Sequence, residues 1–248
     1  MLTNYHTHTK WCKHGFGEIE EYIERAIECG MEEIAITEHV PHRDNRDPWR
    51  MQWEEFPAFD KALNEAILRY QDRIRVRKGL ECEYYPEEME GYRRFRDQYG
   101  YEILILGQHR SGKNREFDNF ADKDAAQMHL YADEVCEGLR SGLFTFLAHP
   151  DLALQGYPAE WDEECEAVMG QIFSTCEECG IPVEININGL RNRKRYPSEQ
   201  AFSFSKKYDL CYLINADAHR PNDLYDEIRR EAEAFAARLG ITVTKRLR

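Results

Sequence analysis

Short apolar runs alternate with longer stretches of helical period along the whole chain. Leu2–His6, Glu33–Glu38 (EIAITE), Ile74–Glu81, Glu102–Gln108 (EILILGQ), Leu143–His149 (LFTFLAH), Pro182–Asn186 (PVEIN) and Leu210–Asp217 (LCYLINAD) read as strands, and Ile241–Thr244 as a short further one. The intervening helices are predicted over Glu18–Cys29, Phe56–Tyr70, Met89–Tyr99, Ala121–Ser141, Glu160–Cys179, Ser198–Lys207 and Leu224–Leu239. The first of them sets Ile19, Tyr22, Ile23, Ala26 and Ile27 on one face, and Gly30, Gly142 and Gly180 close three of the seven. Regular strand–helix alternation implies a mostly parallel sheet with helical crossovers. Seven units in 248 residues, with no Gly-, Pro- or Ser-rich linker and no internal repeat, predict one α/β domain over residues 1–248, a barrel rather than two domains. Residues 40–55 and 110–120 read as long loops of the kind that shape an active site.

This pattern gives the histidines their meaning. Seven of the nine fall at or just beyond a strand end: His6, His8, His14, His39, His109, His149 and His219. Glu38, Glu81 and Asp217 accompany them. His6 and His8, two apart on a strand, share a face. In a parallel barrel all such ends converge on one rim, so ligands distant in sequence meet in space. Imidazole and carboxylate without thiolate suit zinc, manganese or iron in a catalytic setting. Nine candidates (His6, His8, His14, His39, Glu81, His109, His149, Asp217 and His219) are too many for one tetrahedral ion and fit three sharing a bridging carboxylate. His42, on a loop, and His129, in mid-helix, read as bystanders. Glu38 is a candidate to orient a ligand from behind.

Composition narrows the partners. A net charge of −13 argues against long nucleic acid and against anionic membranes. No apolar run approaches the ~18 residues of a membrane span, and the opening MLTNYHTHTK lacks the apolar core of an export signal. A cytoplasmic protein is expected, its eight cysteines free thiols, Cys176 and Cys179 among them. The sequence leaves the oligomeric state open.

Taken in order, His6-Thr7-His8, His14, Glu38-His39, Glu81, His109, His149-Pro150-Asp151 and Asp217-Ala218-His219 resemble the motifs of the PHP superfamily, named for polymerase and histidinol phosphatase. Val183-Glu184-Ile185-Asn186 through Gly189-Leu190-Arg191, Tyr196-Pro197 and Asp217-Ala218-His219-Arg220-Pro221 are similar to the stand-alone histidinol-phosphate phosphatases within it. The resemblance implies a distorted seven-stranded, TIM-like (β/α) barrel with a trinuclear centre. Carried over, His6, His8, Glu81 and Asp217 hold a first ion, Glu81 bridges to a second on His109 and His149, and His14, His39 and His219 hold a third. The basic loop after Gln108-His109-Arg110, with Lys113 and Arg115, departs from the usual relatives.

The implied activity is hydrolysis of a small-molecule phosphate ester, foremost L-histidinol phosphate in histidine biosynthesis. Three divalent ions bring a charge of about +6 that Glu81 and Asp217 only partly offset. A water shared between ions has its pKa lowered toward ~7, giving hydroxide for in-line attack. Arg191 is the first choice for a phosphate clamp, with Arg110, Lys113, Arg115 and Arg220 behind it. Catalytic roles fall to Glu81, Asp217 (with a share in proton transfer) and Arg191. Nucleotides, short oligonucleotide ends or phosphotyrosyl peptides are the alternative substrates, and a metal-binding domain without turnover is the non-enzymatic one.

Overall fold

A computed structural model describes residues 2–247. Seven parallel strands follow one another around a nearly closed barrel: β1 (Thr3–Asn4), β2 (Glu33–His39), β3 (Arg75–Cys82), β4 (Ile103–Leu106), β7 (Phe146–Leu147), β8 (Val183–Asn186) and β9 (Tyr212–Asn215). A two-residue hairpin, β5 (Arg110–Ser111) with β6 (Phe117–Asp118), stands outside the sheet within the long loop that follows β4. The helices are α1 (Ile19–Glu28), α2 (Phe56–Tyr70), α3 (Met89–Tyr99), α4 (Ala125–Arg140), α5 (Glu163–Cys179), α6 (Ile187–Arg191), α7 (Glu199–Ser205) and α8 (Glu227–Leu239).

Helix starts are set by polar side chains that accept the free N–H groups of the first turn. Asp124 accepts from Gln127, Asp162 from Cys165, Ser198 from Ala201, and Asp226 from both Ile228 and Arg229. These caps start α4, α5, α7 and α8 one to four residues later than the apolar period suggests. Gly100, Gly180 and Gly240 end α3, α5 and α8 with positive φ.

Alternation along each strand divides the core in two. One face meets the helices in the large outer core. The other fills the barrel with Tyr5, Ala35, Ile103, Ile105, Phe146, Ala148, Leu213 and Leu247. Leu247 belongs to the tail after α8, which plugs the N-terminal end of the barrel. Its backbone N–H donates to the Tyr5 hydroxyl (3.2 Å), and Arg246 donates to the buried Glu33 (2.7 Å).

Three expectations need correction. Strands at Leu2–His6, Glu102–Gln108, Leu143–His149 and Leu210–Asp217 are shorter than the apolar runs, because the chain leaves the ladder to present the residues at their ends. Ile241–Thr244 forms a single bridge, Val243 to Tyr212, rather than a strand. Helix α6 was not anticipated; Asn186, the last residue of β8, caps it by accepting from the Gly189 N–H (2.9 Å).

Barrel closure has its own chemistry. Between β1 and β9 the backbone ladder is replaced by two asparagine side chains: Tyr5 N–H donates to Asn215 Oδ1 (2.9 Å) and Ala216 N–H to Asn4 Oδ1 (2.6 Å). Above them a Thr7–Ala218 bridge completes the ring, with His8 N–H donating to the Ala218 carbonyl (2.8 Å).

A candidate metal centre at the C-terminal rim

Each strand end brings its residue to the same rim. His39 and Glu81 are register partners on β2 and β3, and His6, His8, His109, His149, Asp217 and His219 follow β1, β4, β7 and β9. His149 and Asp217 have positive φ, 28° and 46°, a conformation that costs a non-glycine residue energy and turns its side chain inward from the strand end. Glu81 lies at the centre. Its Oε1 is 3.3 Å from His6 Nε2, His109 Nε2 and His149 Nε2; its Oε2 is 3.0 Å from His39 Nδ1 and 3.3 Å from His8 Nε2. Asp217 Oδ1 stands 3.4 Å from His8 Nε2, 3.7 Å from His6 Nε2 and 3.6 Å from His219 Nδ1. The rings of His8 and His219 stack at 4.7 Å, and His14 lies 4.9 Å from His219 and 5.3 Å from His39. All nine expected ligand positions therefore converge on one cluster.

Carboxylates behind the imidazoles aim them. Glu184, fully buried, is 2.9 Å from His6 Nδ1 and accepts from the His149 N–H (3.1 Å) and from Asn186 and Asn215. Glu83 lies 3.3 Å from His109 Nδ1, leaving Nε2 to face Glu81. Glu38 is buried rather than facing solvent: the Thr9 N–H and hydroxyl both donate to it at 2.6 Å, and its other oxygen is 3.9 Å from His8 Nδ1. Such partners set which ring nitrogen is free to bind.

The electrostatics follow from burial and these neighbours. Burial drives His8 down to about 3, and burial with His8 and Arg50 nearby holds His39 well below the usual imidazole value. On His6 burial opposes the proton, but Glu184, Asp217 and Glu81 outweigh it and raise the pKa well above normal. On His109 burial is likewise overcome by Glu81 and Glu83, to about 9. Burial pushes Glu38 up to about 8. Burial also opposes the charge on Glu81, yet His109, His6 and His39 keep its carboxyl well below the normal range.

Several buried nitrogens here, His6 Nε2, His8 Nε2 and His39 Nδ1, have no hydrogen-bond partner among the described residues. Unpartnered buried imidazole lone pairs around an ionised carboxylate form a donor set that divalent cations satisfy, so the residues fit the expected metal. His39 belongs to Glu81 as much as to His14 and His219, so it faces two candidate positions rather than one.

The cationic residues divide. A cavity of about 360 Å³ over the cluster is lined by Arg50, Arg110 and Lys194, with Asn188, Asn192 and Tyr196. Arg191 is not among its walls. Its Nη1 donates to Asp226 Oδ2 (2.5 Å) and its Nη2 to the Asp223 carbonyl (3.1 Å), so the first-choice clamp instead ties α6 to the start of α8. Arg220 lies exposed over the Phe16 ring (4.6 Å). Lys113 and Arg115 line a neighbouring cavity of about 680 Å³, which Arg110 also borders. Arg115 is paired with Glu87 and Glu88 and stacked on Tyr85 at 3.5 Å. His42 pairs with Glu88 (3.4 Å) and His129 with Glu164 (2.7 Å), both away from the cluster. The sequence reading missed Arg50, Glu83, Glu184 and Lys194. Glu83 carried a signal, two residues after Glu81 on the same strand face; Arg50, one of three arginines in a loop, carried none.

Comparison with known proteins agrees with this fold. A probable histidinol-phosphatase of Deinococcus radiodurans is 25% identical over 237 residues, covering 90% of this chain and 88% of the relative. A probable phosphatase of Shewanella amazonensis is 24% identical over 223 residues, covering 88% of this chain and 77% of its own. The crystal structure of histidinol phosphate phosphatase from Lactococcus lactis, complexed with zinc, L-histidinol and phosphate, shares the fold with a TM-score of 0.78 at 16% identity, over 98% of this chain and 95% of that one. Residues 4–188 match the PHP domain, and the chain belongs to the PHP domain family.

Proposed function

We propose that the chain is a metal-dependent phosphomonoesterase that hydrolyses L-histidinol phosphate to L-histidinol and phosphate. The observation that carries this reading is Glu81 ringed by five imidazole nitrogens, with Asp217 beside them. The substrate comes from the relatives named for histidinol phosphate and from the neighbour solved with zinc, L-histidinol and phosphate. His6, His8, His14, His39, Glu81, His109, His149, Asp217 and His219 would hold three divalent ions, zinc, manganese or iron. When bound, such ions supply Lewis acidity and a nucleophile at neutral pH.

The chain's own residues bind and orient. Arg110 and Lys194 draw the phosphate dianion into the cavity, and Asn188, whose amide spends one N–H on Asp217, offers the other to it. Asn186 and Asn188 donate to Asp217 Oδ2 (3.2 Å each) and fix the carboxylate to which we assign proton delivery to the departing alcohol. The test is phosphate release by metal-loaded protein across a panel of esters. A kcat/KM for L-histidinol phosphate about tenfold or more above that for generic esters is expected, the discrimination that one well-placed contact supplies. Equal rates across the panel would remove the substrate assignment. A second reading, an ester with a larger anionic leaving group such as a nucleotide, draws on the 680 Å³ cavity, where Arg110 and Lys113 make no ion pair among the described residues. Preference for nucleotides in the same panel would select it.

A further inference from the structure

Arg50 is buried at the wall of the metal cavity, 7% exposed, although the adjoining Trp49 is 69% exposed at its mouth. Burying a guanidinium costs several kcal/mol unless its donors are met. Two of its edges are. Nε is ion-paired with Asp47 Oδ2 at 3.0 Å, and Nη2 donates to Glu83 Oε1 (2.8 Å) and lies 3.4 Å from His109 Nδ1. Nη1 has no partner among the described residues.

A planar fork tied at two edges has its third nitrogen fixed in direction, so a new hydrogen bond there costs little side-chain entropy. A donor that is already oriented in a low-dielectric wall is also worth more to a developing charge than one free in water. The other cations offer less. Arg110 and Lys194 are exposed to solvent, and Arg191 is spent on Asp226.

We propose that Arg50 is the phosphate clamp of this site, donating from Nη1 to a non-bridging phosphoryl oxygen. The inference rests on the phosphatase reading. As the bond from phosphorus to the water oxygen forms and that to the alcohol oxygen breaks, the electron pair leaves with the alcohol, which takes up a proton released by the water. Arg50 keeps its own proton throughout and stabilises the charge gathering on the equatorial oxygens. It also holds Glu83, and through Glu83 the ring of His109.

The two roles separate in Arg50→Met and Glu83→Gln, both metal-loaded, with ion content, inhibition by inorganic phosphate, and kcat and KM for p-nitrophenyl phosphate measured on each. A hydrogen bond from a charged donor is worth roughly ten- to a hundredfold. Arg50→Met should keep its metal and lose about tenfold or more in phosphate affinity, with a larger loss in kcat, while Glu83→Gln, which keeps the guanidinium and loosens only its hold and that of the His109 ring, loses several-fold less phosphate affinity than Arg50→Met. Equal phosphate affinity in Arg50→Met and the parent, equal losses in both variants, or loss of metal from Arg50→Met would each overturn the clamp and leave a scaffold residue. Binding of inorganic phosphate followed by calorimetry keeps the two readings apart. If the parent hydrolyses no ester yet binds phosphate through Arg50, the phosphatase reading fails and the anion clamp stands.

Discussion

Glu81 reaches the centre of the cluster because Gly107 has no side chain to block it, and Gly79 lets the strands beneath pack closely. A Cβ at Gly107 would lie 2.1 Å from Glu81 Oε1, and one at Gly79 would lie 2.5 Å from Thr37 Cγ2 and 2.9 Å from Ile103 Cβ. Gly107→Ala should therefore displace the carboxylate without unfolding the barrel. Metal content should fall and turnover drop by about a hundredfold, the scale of losing one essential electrostatic contact, with an unchanged far-ultraviolet circular dichroism spectrum. Glu81→Ala goes further: if one carboxylate serves two ions, elemental analysis should show more than one ion lost per chain. Arg191→Met should behave differently from either. It breaks the pair with Asp226, so denaturant titration should show a loss of about 1 kcal/mol, while kcat/KM stays close to the parent value. A large fall in kcat/KM with normal stability would restore Arg191 as the clamp.

At the scale of elements, sequence reading did well where one force dominates. Apolar runs located all seven barrel strands, since burial on both faces leaves few polar positions to blur them. It did less well where polar side chains compete. Asp162 and Asp226 start their helices by capping, which a count of apolar positions does not see. The site was legible as far as the histidines and carboxylates that cluster at the rim, whose types are rare at strand ends. The residues that aim them, Glu184 on β8 and Arg50 in a loop, look like ordinary strand and loop charges until the chain is folded. Lys123, just before α4, is a similar case. Burial lowers its pKa from the usual 10.5 to about 8, although its ammonium donates to the carbonyls of Asn119 and Leu152. Between those pH values the unfolded chain carries a proton that the folded chain lacks, so the lysine's contribution to stability rises with pH across that window and is flat below it. The denaturation midpoint of the parent relative to Lys123→Met should increase from pH 8 to 10.5, by up to about 3 kcal/mol in free energy. A flat difference would show the ammonium to be fully compensated by its two carbonyl partners.

For the whole molecule, the seam between β1 and β9 matters most. His6 and His8 leave from one side of it and Asp217 and His219 from the other, while the strands below are joined by Asn4 and Asn215 rather than by a ladder. A cation gripped from both sides would act as a clasp on the one discontinuity in the barrel. Binding to the folded state alone raises stability by about 2.7 kcal/mol at a hundredfold excess over Kd, so chelation should lower the melting temperature. The loss should not be spread evenly. In hydrogen exchange, the amides of Tyr5 and Ala216 should lose protection on metal removal well before those of β2 and β3, where seven consecutive register pairs hold the sheet. The barrel would then open like a book along its spine, and the same opening would give metal a way in during assembly.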